Sequence, residues 1–314
     1  MDTRTVGDVL MKTRMFYTTG RHDICEMEWD KPEPKDDEIE VKNIFTGVCR
    51  SDIDMYTGAF SLPSRLMQGH EGLGQVTKVG KKVKFIEEGM FVATRGEPSF
   101  ADYYNAEEGT FVEVPEASPK YILEPVACAF NVFNAAWGSI RKESEILILG
   151  TGFLAQMVYE AIQYHQLDNT VTIIGNANKN YWRGKGIYGD FNALRYFGYS
   201  FDVIIDLSDK PEYLTGNTDH ILPEATIILA AEKHPELVLP MGDLLWKAVT
   251  IIFPSPRNRA FLGAMAMASD MIEDEVIDPS SMWTKAYDRD TEVKQAFEDG
   301  LNRPEGYQRG YIRW

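Results

Sequence analysis

One stretch of the chain, from Gly47 to Gly74, concentrates side chains that can bind a metal ion. Cys49 lies near its start, and His70 and Glu71 follow after a loop. A thiolate and an imidazole are good zinc ligands, and a carboxylate can complete the set. Taken singly, a cysteine is more often a packed core residue. The prediction of a metal site therefore depends on whether the rest of the chain supplies a further ligand.

The composition is that of an ordinary globular protein and disfavours several functional classes. The 314 residues are enough for two domains, and a net charge of −16 without a basic stripe argues against a nucleic-acid partner. No apolar run approaches the ~20 residues of a membrane span, and the N-terminus lacks the apolar core of a signal peptide. Three widely spaced cysteines form no disulfide framework. We therefore predict a cytoplasmic protein with no membrane partner.

The region up to about residue 120 is predicted to be all-β. The run Glu38–Lys42 alternates charged and apolar side chains, which is the pattern of a half-buried strand. Short strands separated by glycines continue after it. This spacing indicates a partly closed barrel of short strands.

The second half of the chain predicts a parallel sheet. An apolar helix is expected over residues 121–137, and short apolar strands then alternate with helical segments at 145–150, 170–175, 201–206, 225–230 and 249–253. Strands that are continuously apolar and alternate with helices indicate a sheet covered on both faces. We predict a first domain of residues 1–130, completed by 255–314, and a second domain of residues 131–254.

A glycine-rich turn follows the first of these strands. Gly150 permits a tight turn, and Gly152 lets backbone amides approach a pyrophosphate at the start of a helix, beside Phe153 and Leu154. The motif therefore predicts a dinucleotide site. The alternative is a strand-to-helix turn that binds no ligand.

The residues after the second strand bear on the choice between NAD and NADP. An acidic residue there would hold the ribose 2′-hydroxyl and repel a 2′-phosphate. The chain instead reads Gly-Asn-Ala-Asn-Lys over 175–179, with Asn176, Lys179 and the nearby Arg183. The missing carboxylate and the nearby cations favour NADP. The alternative is that both cations are ordinary surface charges and that an asparagine binds the ribose of NAD.

Several motifs, in their order and spacing, resemble those of a known family. They are GVCRSD, GHEGLGQVTKVG, LEPVACA, ILGTGFLAQ, DVIIDLS and the closing AFEDGLNRPEGYQRGYIRW. The chain is similar to medium-chain, zinc-dependent dehydrogenases of the alcohol, sorbitol and threonine dehydrogenase type. The resemblance implies an α/β fold with a GroES-like, barrel-like catalytic domain and an inserted Rossmann domain that contains a doubly wound parallel sheet.

The resemblance also implies a metal-ligand set. Cys49 and His70 fall on two catalytic zinc ligands, and Glu124, in an EP motif of the polyol-dehydrogenase branch, falls on the third. Glu71 falls where the family has either a ligand or a close neighbour of the metal. The four-cysteine lobe that binds a structural zinc is missing between Thr94 and Phe100, so we predict one zinc ion.

Four further residues receive roles from the resemblance. Asp52 should orient His70, Ser51 should hydrogen-bond the substrate oxygen and begin a proton relay, and Arg309 should contact the cofactor near its phosphates. The usual relay histidine is Asp54 in this chain. An ordinary aspartate has a pKa of about 3.9, which makes it a poor base at neutral pH. The relay then needs a raised pKa at Asp54 or a water molecule, or it is slow.

The predicted function is hydride transfer between an alcohol or polyol-like small molecule and NADP or NAD, with one catalytic zinc. A zinc-free reductase of the quinone or enone type is an alternative within the same class. A non-catalytic nucleotide-binding protein on the same fold is an alternative of a different class. By analogy with the family, we expect a homodimer or homotetramer that associates through Rossmann edge strands.

Overall fold

The computed structural model describes residues 10–59, 61, 64, 68–165, 168–196, 198, 200–208, 218–231 and 238–314. The chain divides into two compact units. The first unit contains Met1–Val126 and Met265–Trp314, and the second unit contains Ala127–Ala264.

The strands and helices are numbered separately in chain order. The strands are β1 Met11–Thr18, β2 Ile24–Lys31, β3 Glu38–Gly47, β4 Gly72–Val79, β5 Phe91–Thr94, β6 Tyr103–Glu107, β7 Phe111–Val114, β8 Glu145–Leu149, β9 Thr170–Ile174, β10 Ile187–Gly189, β11 Phe201–Asp206, β12 Ile221–Leu229, β13 Thr250–Ile252, β14 Trp283–Asp288 and β15 Arg309–Arg313. The α-helices are α1 Arg50–Thr57, α2 Glu124–Trp137, α3 Phe153–Tyr164, α4 Lys179–Trp182, α5 Met241–Trp246, α6 Phe261–Glu273 and α7 Val293–Asn302.

A seven-stranded sheet forms the centre of the first unit. Its strand order is β14-β15-β3-β4-β5-β7, with β6 also paired to β3, and β1 and β2 form a separate antiparallel hairpin. Alternate side chains of β3, such as Ile39 and Val41, are fully buried together with Val92 and Tyr104. The C-terminal strand β15 is antiparallel to β3, so the end of the chain lies beside strands from its beginning.

The second unit contains a six-stranded sheet in the order β10-β9-β8-β11-β12-β13. All its strand pairs are parallel. The order reverses at β8, which is the arrangement of a doubly wound Rossmann sheet. Residues Ile146–Leu149 of β8 are fully buried, because a central strand is covered on both faces. The two units together confirm the predicted α/β fold class.

Two elements differ from the sequence prediction. Helix α2 begins at Glu124 and not at Tyr121, since Pro125 is tolerated in the first turn of a helix but not further inside it. The edge strand β10 was not predicted. It has three residues, none of them buried, and glycines nearby, so it lacks the apolar run by which the other strands of this sheet were recognised.

In the described part of the chain, no helix combines the length and the apolar character needed to cross a bilayer.

Candidate functional site

The turns that flank strands β3 and β4 bring together three side chains of the first unit that could hold a metal ion. Thr46 of β3 pairs with Gly72 of β4. Cys49 follows β3, whereas His70 and Glu71 immediately precede β4. One ligand atom from each of these three residues lies within 4.8 Å of the other two. Within the residues described above, no other group of three or more such side chains is this close.

Helix α1 fixes the position of Cys49. The residue caps the N-terminus of the helix, and its backbone N–H donates a 2.8 Å hydrogen bond to Oδ2 of Asp52. The other oxygen of Asp52 lies 3.9 Å from Nδ1 of His70, which is too long for a hydrogen bond. Asp52 is fully buried between the cysteine backbone and the imidazole. Its role in orienting His70 stays a prediction.

Burial and mutual contact perturb the titration of these groups in the metal-free protein. Burial raises the pKa of Asp52 to about 6, although His70 opposes the shift. Burial alone would lower the pKa of His70, but Asp52 and the thiol of Cys49 raise it well above its usual value. Burial and the nearby Glu71 raise the pKa of Cys49. Metal binding at this cluster would therefore release protons, because a ligating thiol must be deprotonated.

Glu71 has a cationic partner, Arg309 of β15. Nη2 of Arg309 donates to both carboxylate oxygens of Glu71, one of them at 2.5 Å. The guanidinium carbon lies 5.1 Å from the ring centroid of Trp283, a cation–π contact. Gly47 is next to both side chains. A Cβ at Gly47 would collide with the Glu71 carboxylate and lie 3.0 Å from the Trp283 ring. Neither Trp283 nor Gly47 was predicted from the sequence to take part in this arrangement.

The other predicted residues of the first unit are placed differently. Glu124 is buried at the start of α2 and is close enough to His70 to contribute to its raised pKa, but it lies outside the 4.8 Å cluster. Ser51 is half-buried in the first turn of α1. Asp54, at the predicted relay position, forms a 2.9 Å ion pair with Arg50. The ligand and relay roles of these residues stay predictions, as does the contact of Arg309 with a cofactor.

The glycine-rich turn lies between β8 and α3 in the second unit. Gly150 adopts a φ of +121°, a conformation that favours glycine. Gly152 is the N-cap of α3, and an added Cβ there would meet nothing within 4 Å. Phe153 and Leu154 begin α3, so their backbone N–H groups lie at the N-terminus of the helix. The turn therefore fits a pyrophosphate, which binds to such amides and to the positive end of the helix dipole.

The predicted cofactor residues after β9 are at the surface. Asn176 and Lys179 are exposed, as is Arg183. Thr151 of the glycine-rich turn accepts a 3.1 Å hydrogen bond at Oγ1 from the N–H of Ala177, which connects the turn to this segment.

Comparisons with known proteins agree with this architecture. A family model described as the alcohol dehydrogenase GroES-like domain matches residues 35–123. A sorbitol dehydrogenase of Halalkalibacterium halodurans is 24% identical over 200 residues, which cover 54% of this chain and 57% of that enzyme. The low-reducing polyketide synthase drtA of Aspergillus calidoustus is 25% identical over 169 residues, which cover 51% of the chain but 7% of the synthase. These alignments thus cover about half of the chain and less than two thirds of either relative.

Solved structures match almost the whole chain. A protein described as a short chain alcohol dehydrogenase (rspB) of E. coli CFT073, complexed with NADH, has a TM-score of 0.81 at 17% identity, and the match covers 98% of this chain and 100% of that chain. TarJ of S. aureus in complex with NADPH also scores 0.81 at 17% identity, covering 97% and 99%. The 2R,3R-butanediol dehydrogenase of Bacillus subtilis scores 0.78 at 15% identity, covering 96% and 99%. At such identities the likeness establishes the fold.

The match to the alcohol dehydrogenase GroES-like domain, the partial similarity to sorbitol dehydrogenases and the shared fold all agree with a resemblance to medium-chain alcohol dehydrogenases.

Proposed function

We propose that this chain is an oxidoreductase that transfers a hydride between an alcohol or polyol and NAD(P), with one catalytic zinc ion. The observation that carries the proposal is the close approach of Cys49 and His70, the two ligands shared by both candidate sets, which lie within 4.8 Å of each other and of Glu71 in the GroES-like region. A thiol, an imidazole and a carboxylate are the donor types that zinc takes in proteins. Relatives that are named sorbitol dehydrogenase and 2R,3R-butanediol dehydrogenase support a polyol as the substrate class.

The metal would be held by Cys49 and His70, with Glu124 as the third ligand. Glu71 is the less suitable candidate for this position, since Arg309 already engages both of its carboxylate oxygens. When bound, zinc would supply a Lewis acid that lowers the pKa of the substrate hydroxyl. Asp52, buried beside His70, would keep the imidazole oriented.

The proton would leave the substrate through Ser51, in the first turn of α1. Asp54 is a poor next acceptor because its carboxylate is already engaged by Arg50 at 2.9 Å. We therefore propose that a water molecule completes the relay. In such a relay, replacement of Ser51 should slow the release of the proton to solvent more than replacement of Asp54 does.

The cofactor pyrophosphate would bind at the turn from Gly150 to Leu154, at the positive end of the α3 dipole. The exposed Lys179 and Arg183 favour NADP over NAD.

We also propose that the protein is a cytoplasmic homodimer or homotetramer that acts on a free small molecule. Strand β13 lies at the edge of the parallel sheet and leaves one side of its backbone unpaired within that sheet. Leu245, Trp246 and Phe253 expose 76%, 90% and 69% of their surface near this edge. An open edge with exposed apolar side chains suits pairing with the same strand of a second copy.

The metal content of protein purified without chelator tests the proposed function. We expect about one zinc per chain, a sharp loss in Cys49→Ser and Glu124→Ala, and no loss in Cys25→Ser, a matched change at another half-buried cysteine of the first unit. The loaded protein should then oxidise polyols with NADP or NAD. Folded protein that takes up no zinc on titration would overturn the proposal, and metal-independent reduction of quinones would replace it with the zinc-free reductase.

A further inference from the structure

An open depression of about 640 Å³, which we call the hairpin depression, lies on the surface of the first unit. Its lining residues come from the turn that joins β1 to β2 and from the first turn of α7, and all their side chains are exposed; they are Thr19, Arg21, His22, Asp23 and Lys294. The volume falls within the range of small-molecule sites, about 300–1,000 Å³. The lining includes no candidate zinc ligand and no residue of the glycine-rich turn, so the depression is separate from both sites described above.

The turn between β1 and β2 is held against the C-terminal end of α1. The backbone N–H of His22 donates a 3.0 Å hydrogen bond to the carbonyl oxygen of Tyr56, and the two rings meet edge to face with their centroids 5.2 Å apart. A Cβ on Gly58, the C-cap of α1, would lie 2.5 Å from the carbonyl oxygen of Gly20, so the two backbones are in direct contact. His22 has a φ of +54°, which is uncommon for a residue other than glycine. These contacts fix the backbone of the residues that line the depression.

Two cations of the hairpin depression have no counter-ion. Among the described residues, no carboxylate oxygen lies within 4.0 Å of the side-chain nitrogens of Arg21 or Lys294, although the net charge of the chain is −16. Glu298, one helical turn after Lys294, instead accepts a hydrogen bond from the hydroxyl of Tyr56. Lys294 is also the second residue of α7, where the positive end of the helix dipole disfavours a cation. Locally unfavourable arrangements of this kind are expected at functional sites.

The side chains of the depression suit a phosphate group with a hydroxyl beside it. A guanidinium and an ammonium both bind phosphate well, and Arg21 and Lys294 supply one of each. The imidazole of His22 and the hydroxyl of Thr19 can donate further hydrogen bonds. The carboxylate of Asp23 would repel a bare anion, but it can accept a hydrogen bond from a hydroxyl. The lining contains no apolar side chain, which disfavours an apolar ligand.

We propose that the hairpin depression binds a small phosphate ester that carries a free hydroxyl group. Arg21 and Lys294 neutralise the phosphate. His22 and Thr19 donate hydrogen bonds to its oxygens, and Asp23 accepts one from the hydroxyl. The site lies at the C-terminal end of α1, whereas the candidate zinc ligand that caps this helix lies at its other end. It is therefore additional to the proposed dehydrogenase site and does not depend on zinc.

Nuclear magnetic resonance of the full chain, labelled with ¹³C at histidine, tests the proposal at the site itself. The ring signals of His22, assigned with His22→Gln, should shift saturably with glycerol 3-phosphate, with a Kd of about 1 mM or lower for two charge-assisted hydrogen bonds. Inorganic phosphate, which has no alcohol hydroxyl, should bind about tenfold more weakly, and glycerol should cause no shift. His165, in the second unit, is the internal reference and should not shift. No saturable shift of His22 with glycerol 3-phosphate would overturn the proposal.

Charge variants identify the phosphate ligands. Arg21→Gln and Lys294→Gln should each weaken the binding of glycerol 3-phosphate about tenfold or more. Lys81→Gln, which removes an exposed cation elsewhere in the first unit, is the matched control and should leave binding unchanged. Unchanged binding in Arg21→Gln or Lys294→Gln, or equal weakening in Lys81→Gln, would contradict the assigned contacts.

The melting temperature without ligand separates a binding role of Lys294 from a structural one. Lys294→Gln should melt at the same temperature as the wild type or at a higher one, because the substitution removes a cation from the positive end of α7. A lower melting temperature would assign Lys294 to the stability of the fold and remove it from the proposed site.

The variant Asp23→Asn separates a phosphate ester from a bare anion. It should bind inorganic phosphate more tightly than the wild type, because the repelling carboxylate is gone. Its preference for glycerol 3-phosphate over inorganic phosphate should decrease, since the charged acceptor of the hydroxyl is lost as well. The ratio of the two Kd values from the His22 titrations is the measurement. An equal gain in affinity for both probes would overturn the hydroxyl contact and identify a bare anion as the ligand.

Discussion

Arg309 and Glu71, 238 residues apart in sequence, form an ion pair beside the Cys49–His70 cluster. The Glu71 side chain is fully buried and that of Arg309 is 12% exposed. Burial would lower the pKa of Arg309, but Glu71 and Cys49 raise it above its usual value. The pair places a permanent positive charge next to the proposed metal ligands. Because a buried pair is costly to break on one side only, this charge should be a fixed property of the site.

The absence of a side chain at Gly47 is predicted to be necessary for this ion pair. In Gly47→Ala the new Cβ would collide with the Glu71 carboxylate, so we expect the free energy of unfolding to fall by about 1–3 kcal/mol and zinc uptake to weaken. Gly138→Ala is the control, since a Cβ there meets nothing within 4 Å. Urea denaturation and zinc titration check both variants. Equal stability of the two would contradict the assigned contact.

Trp283 is predicted to stabilise Arg309 through its aromatic face. A double-mutant cycle with Trp283→Leu and Arg309→Met should give a coupling free energy of about 1–2 kcal/mol, as expected for a desolvated cation–π contact. The cycle removes the cavity cost of the smaller side chain, which each single variant includes. Trp283→Phe, which keeps an aromatic face, should retain part of the coupling. Strictly additive effects in urea denaturation would show that the ring only fills space.

The buried ion pair between Lys31 and Glu40 is predicted to be sensitive to one-sided change. Lys31 Nζ lies 2.7 Å from Glu40 Oε2, with side chains 0% and 3% exposed. Glu40→Gln would leave a buried uncompensated charge and should cost about 3–5 kcal/mol of stability. Glu28→Gln breaks the exposed pair with Lys12, whose side chains are 61% and 67% exposed, and should cost at most about 1 kcal/mol.

The same pair gives a pH dependence with a defined sign. Burial raises the pKa of Glu40, but the bonds from Lys31 and Thr77 outweigh it, so that the pKa is lowered from 4.5 in the folded protein. Its contribution is present above pH 4.5 and is lost as the pH falls through the lowered value. The wild type should therefore lose more stability than Glu40→Gln on acidification below pH 4.5, as measured by urea midpoints. Parallel pH profiles would contradict the assignment.

His220 should respond to acid at a higher pH. Burial, followed by the positive charge of Lys247, lowers its pKa from 6.5, although Asp219 opposes the shift. The unfolded chain therefore binds a proton more readily than the folded one, and stability should decrease as the pH falls below 6.5. His220→Gln should remove this part of the decrease, visible as a smaller change in melting temperature between pH 7.5 and pH 5.5. An unchanged decrease would place its origin elsewhere.

The parallel sheet could be predicted because its signals are local. Strands β8, β9 and β11 are short, mostly apolar runs in a part of the chain where strands and helices alternate. Gly150 and Gly152 form a motif that is recognisable within a few residues. Strand β10 was missed because its stability comes from pairing with β9 and not from its own three residues. Residue type alone indicated Cys49 and His70 as candidate metal ligands. The pairing of β3 with β4 brings them together in the folded chain.

Partners that lie far apart in sequence had no such signal. No periodicity connects Glu71 with Arg309 and Trp283, or Thr151 with Gly175, because these contacts exist only after strands from separate parts of the chain have paired. The placement of Glu124 outside the close cluster likewise depends on how α2 packs.

The sequence by itself determined the fold class, the glycine-rich turn and the residue types available for zinc and dinucleotide binding. These follow from local patterns of side-chain size, charge and apolarity. The tertiary structure decided which carboxylate is engaged by a guanidinium, which glycine must lack a side chain and which threonine packs against Gly175. Those outcomes depend on the close packing of residues distant in sequence, where a single Cβ either fits or collides.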